Sequence, residues 1–168
     1  MDTGLLLARA VIGALMAAHG SQKLFGWFGG YGLNGTAGFF EGLGFRPGRL
    51  FATAAAVSEL GSGVFLAAGL LEPFAAAVMV SVMIVAAATV HWEHGVFAST
   101  NGIELPLLYG VTAAALALTG PGAYSADALL GLTALWTPAV VLTALGLGVL
   151  VGIGNLAVRK TAPVQATA

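Results

Sequence analysis

The chain has 168 residues, 58% of them hydrophobic and only 8% charged, with a formal net charge of −1 and no cysteine. Soluble domains carry about a quarter charged residues, so this composition, with a mean hydropathy of +0.95, belongs to an integral membrane protein. Missing cysteine excludes disulfides, thiolate metal sites, iron–sulfur clusters and covalently attached haem. Apart from Arg159-Lys160 there is no basic run, which excludes an electrostatic footprint for nucleic acid.

The first apolar segment is predicted over residues 5–28, enough to cross about 30 Å of hydrocarbon. Met1-Asp2-Thr3-Gly4 lacks the basic flank of a cleaved leader and predicts a retained helix. On that helix His19 and Lys23 are one turn apart on one face, with Gly13, Ala17 and Gly20 beside them and Arg9 on the same side. Charges at the bilayer centre cost about 2.5–3.5 kcal/mol each on insertion scales, so this face is expected to turn away from lipid.

Residues 26–49 are rich in glycine and aromatics, too broken to span and too apolar for a free loop, and predict an interfacial or re-entrant segment. A second span is predicted over 50–71, where Ala55, Ser58, Glu59 and Ser62 share a face. Glu59 falls on the order of 14 Å into that helix and needs Lys23, Arg9, a histidine or its own proton. Glu72-Pro73 makes a short turn, a third span is predicted over 73–92 ending in His91-Trp92-Glu93-His94, and a fourth over 103–119 with Glu104 in its first turn. Gly120-Pro121-Gly122 breaks the chain, Ser125 and Asp127 are expected to cap or order the turn, and a fifth apolar stretch covers 132–154. Residues 156–168 are expected to form a disordered cytoplasmic tail. Five spans put the termini on opposite sides, and the positions of Arg46, Arg49, Arg159 and Lys160 predict an outside N-terminus and a cytoplasmic C-terminus.

Several of these residues together carry a family resemblance: Arg9 and Gly13, His19-Gly20 with Lys23-Leu24, Glu59-Leu60 with Gly61 and Gly63, His91, Glu104, and the Gly120 to Asp127 stretch. Over about residues 5–131 the chain resembles the DoxX family. The resemblance implies an all-α, four-helix membrane bundle; a fifth C-terminal transmembrane helix is expected here in addition, the whole forming one domain over 1–155. Some relatives are subunits of a thiosulfate:quinone oxidoreductase, and others are linked to membrane oxidoreductase complexes or redox-stress defence. The fifth stretch and the lack of an amino-terminal basic segment depart from the family pattern and leave the topology dependent on whether 132–154 crosses.

The expected ligand-binding set is Arg9, His19, Lys23, Glu59, His91 and Glu104. Such a set suits a polar head group such as a quinone carbonyl, with Lys23 or His19 donating and Glu59 carrying a proton. It equally suits a buried ion-pair network that only fixes helix register. His91 and His94 with Glu93 or Glu104 have ligand-type spacing, yet beside Trp92 they read as interface residues, and no metal is assigned. Haem b would have to use His19 and His91. The aromatics between Trp27 and Phe45 fit an interfacial anchor better than the entrance for a quinone tail. Two functions follow as expectations: a membrane subunit of a quinone-linked oxidoreductase, or a non-enzymatic anchor, assembly partner or small-solute carrier. The expected partners are the lipid bilayer, soluble redox enzymes and further copies of the chain.

Overall fold

A computed structural model describes residues 1–160, and all its regular structure is helical. The helices are α1 (Asp2–Phe25), α2 (Gly32–Gly42), α3 (Gly48–Ala68), α4 (Glu72–Ala86), α5 (Glu104–Thr119), α6 (Ala126–Leu129) and α7 (Pro138–Ala157). A π-helical turn at Ala87–His91 and a 3₁₀ turn at Trp92–His94 prolong α4. Four helices are long and apolar enough to cross a membrane: α1, α3, α4 with its extension to His94, and α7. This is a multi-pass helical membrane protein.

Local chemistry sets the boundaries. Gly26 ends α1 at φ 76° and Gly69 ends α3 at φ 65°, left-handed conformations that glycine adopts without a Cβ penalty. Pro73 and Pro138 occupy first-turn positions of α4 and α7, where the missing N–H is no loss. Pro138 also explains why the last helix starts there and not near residue 132: Thr137 accepts the Val140 N–H at 3.4 Å as its cap, and the preceding Leu132–Leu135 is a separate 3₁₀ turn. The shortest long segment is therefore α5, at 16 residues or about 24 Å.

Helix α4 is central, with α3, α5 and α7 packed on it, while α1 packs chiefly on α3. Small residues set that α1–α3 approach. A Cβ on Gly13 would run into the Gly63 and Ala67 backbone, and one on Gly20 into Ala56 and Leu60, the close packing that membrane helices use in place of hydrophobic burial. Met16, Leu66, Met79 and Leu116 fill the centre.

The five long segments alternate in direction. The start of α1, the α3–α4 turn, the end of α5 and the start of α7 gather at one end, joined by Asp127 and Arg9. At the opposite end Lys160 N–H donates to Gly44 O at 2.8 Å and Arg159 Nε to Leu43 O at 2.9 Å. Leu156 and Ala157 complete α7, so the part of the expected tail up to Lys160 is docked, and residues 161–168 lie outside the described residues. The 26–49 segment folds into a 3₁₀ turn at Trp27–Gly29 and then α2, which packs against α1 and the first turns of α3.

Candidate functional site

Two of the expected site residues meet directly. Lys23 Nζ donates to Glu59 Oε1, the one salt bridge among the described residues. The Glu59 side chain is 2% exposed and that of Lys23 32%. The second Glu59 oxygen, Oε2, is enclosed and has no hydrogen-bond partner.

This pair lies on the wall of a cavity of about 380 Å³ bounded by α3, α4 and α7. Its lining is almost wholly apolar, with Lys23, Ser58, Glu59, Ser81, Thr89 and Asn155 as the polar exceptions. Phe74 lines one end, and Phe39, Phe40, Phe45 and Phe51 line the other. These last rings stack in sequence, with centroids 6.3, 5.6 and 5.2 Å apart, and the Arg159 guanidinium sits 5.8 Å from the Phe45 ring centroid. The aromatic stretch thus divides: Trp27, Phe28 and Tyr31 face outward, as interfacial anchors do, whereas Phe39, Phe40 and Phe45 line the cavity.

The other expected residues are placed elsewhere. Arg9 is buried at the far end of α1, where it donates to the carbonyls of Ala67, Pro121 and Tyr124 and joins the α3 terminus to the loop after α5. His19 is exposed on the flank of α1, edge-on to Tyr109 of α5 at 5.8 Å between centroids. The expectation that the whole polar face turns from lipid fails there, because α5 makes little contact with α1 and leaves that flank open. His91 shares a 2.7 Å hydrogen bond with Asn101 O, and Glu104 accepts the Ala98 N–H at 2.7 Å. Both order the α4–α5 loop, whereas His94 bonds Val90 O at 3.0 Å, one turn back within the α4 extension. Among the described residues no three His, Asp or Glu side chains cluster as metal ligands would.

Sequence reasoning did not find the junction at the Arg9 end. Asp127 Oδ1 accepts Leu71 N–H at 2.8 Å, and its Oδ2 accepts Glu72 N–H at 3.1 Å and Trp136 Nε1–H at 2.9 Å. One carboxylate therefore caps α4 from 55 residues away and ties the segment before α7 to it. Ser125 meanwhile caps α6, accepting Ala128 N–H at 3.1 Å. Beside this junction Glu72 is fully buried with neither carboxyl oxygen bonded.

The DoxX family profile matches residues 4–92, more than half of the 168 residues, and runs from α1 into the α4 extension. The chain belongs to the DoxX family. No curated protein and no solved structure matches it.

Proposed function

We propose that this protein is a membrane subunit of a quinone-linked oxidoreductase or redox-stress system, and that the cavity beside Lys23 and Glu59 receives the quinone. The carrying observation is a single ion pair on the wall of an otherwise apolar cavity of about 380 Å³ between membrane helices. Ligand pockets of this kind are mostly apolar with a few placed polar groups, in the range of about 300–1,000 Å³. An apolar tail suits the groove along α4, and a ring carbonyl suits the ammonium of Lys23.

Reduction of a quinone to its quinol takes two electrons and two protons. The electrons come from a partner redox enzyme. Lys23 donates a hydrogen bond to the ring oxygen as negative charge builds there, and Glu59 passes the two protons one after the other, taking each from water at the membrane face. In this reading the protein lies in the cell membrane with its N-terminus outside. Arg46, Arg49, Arg159 and Lys160 all fall at the α7 C-terminal end of the bundle, which the positive-inside rule makes cytoplasmic.

Ligand-induced stabilisation tests the reading. A benzoquinone with a saturated decyl tail, added in large excess to the detergent-purified protein, raises its melting temperature by mass action. Lys23→Ala and Glu59→Gln abolish that rise. An unchanged melting temperature in the wild type contradicts the proposal.

A further inference from the structure

Hydroxyl side chains on apolar helices usually satisfy themselves by donating to a carbonyl one turn back. Ser21, Thr53 and Thr89 do so at 2.8 Å, and Thr119 at 2.9 Å. Asn155, on the cavity wall, similarly bonds Val151 O at 2.9 Å. Ser58 and Ser81 also line the cavity, yet neither hydroxyl has a hydrogen-bond partner among the described residues. Ser81 is only 9% exposed, and nine residues into α4 it stands about 14 Å along the helix from the α3–α4 turn, far from interfacial water. A hydroxyl left unbonded in apolar surroundings is costly, and the space in front of these two is the cavity itself.

Their depth matches the ion pair. Glu59 lies nine residues before the end of α3 at Ala68, and Ser81 lies nine residues after the start of α4 at Glu72. Both therefore sit about 14 Å from the α3–α4 turn, and Ser58 adjoins Glu59 in sequence. Helix α7 closes against the same level, where a Cβ on Gly152 would come within 3.0 Å of Ser81 O. The cavity thus carries charged and unbonded hydroxyl groups at one depth, with apolar wall toward the α3–α4 turn and, toward the other end, only Thr89 and Asn155 as polar groups, both bonded to their own helices.

We infer that Ser58 and Ser81 form a second polar contact of this cavity, donating to an oxygen other than the one that faces Lys23. The ligand class this selects has two acceptor oxygens on opposite edges of a ring, as a para-quinone does, and not a lipid alcohol with one polar end. The inference rests on the quinone reading of the cavity and adds what orients the ring. The two hydroxyls are positioning residues and take no part in electron or proton transfer.

Infrared spectroscopy on the full chain in lipid nanodiscs, loaded with the decyl benzoquinone, separates the two contacts. Both ring carbonyl bands are expected to be lowered in the wild type. Ser81→Ala, alone or with Ser58→Ala, returns one band toward its unbonded frequency and weakens binding about fivefold per lost hydrogen bond. Lys23→Arg, which keeps a cationic donor and with it the bound quinone, shifts the other band alone. Bound quinone whose bands do not move in the serine variants overturns this assignment and leaves the cavity reading standing. A wild type that binds no quinone overturns both.

Discussion

Lys23 on α1 and Glu59 on α3 reach each other because the two helices run antiparallel. Side chains on a helix lean toward its N-terminus, so Lys23 leans inward from the α1 C-terminal end and Glu59 leans down to meet it. The small-residue seam of Gly13 and Gly20 brings the backbones close enough for the contact.

Removing one partner of a buried pair leaves an uncompensated charge and costs about 3 kcal/mol or more. Lys23→Ala is therefore expected to lower the melting temperature in detergent, and the double variant Lys23→Met with Glu59→Leu to recover most of it. Only the single variant should be unstable, but neither should bind quinone. A double variant no more stable than the single one would show that the pair is not what Glu59 depends on.

The α1–α3 seam gives a sharper contrast. Gly20→Ala places a methyl inside the van der Waals surface of the α3 backbone and is expected to cost about 3 kcal/mol by overpacking. Gly61→Ala meets nothing within 4 Å and should change stability by less than about 0.5 kcal/mol. Thermal unfolding followed by circular dichroism reads both.

Asp127 carries three hydrogen bonds from Leu71, Glu72 and Trp136. Asp127→Ala removes a cap and leaves an indole N–H without its acceptor, a loss of about 3 kcal/mol. Trp136→Phe, which deletes one of the three bonds, should cost about 1 kcal/mol. Limited proteolysis of the loops on either side of α6 should show the same order.

Legibility followed from how rare a charge is in hydrocarbon. The all-α membrane class and the prominence of Lys23 and Glu59 stood out in the sequence because ionisable residues are conspicuous in such composition. Arg9 shares the face of Lys23, but a shared face says nothing about depth: 14 positions along α1 separate them by about 21 Å, enough to place Arg9 at the other end of the bundle. His91 and Glu104 do lie at the Lys23 end, yet loop backbone groups take them up, and side-chain-to-backbone bonds leave no periodic trace. The Asp127 junction needed a contact across 55 residues, and the level match of Ser81 with Glu59 needed the α3–α4 pairing.

Because the chain has no cysteine, single introduced cysteines report topology cleanly. Ser99→Cys lies in the α4–α5 loop and Ala123→Cys in the loop after α5, at opposite ends of the bundle. A membrane-impermeant thiol reagent on intact cells is expected to label the Ala123 variant only. Labelling of the Ser99 variant alone would invert the orientation.

The most direct test of the central claim is purification from native membranes in mild detergent, followed by organic extraction and mass spectrometry. The account predicts a quinone in stoichiometric amount with the wild type and its loss in Lys23→Ala protein that still folds. A folded wild type that carries no quinone and instead brings down soluble enzymes would contradict it and favour a membrane anchor.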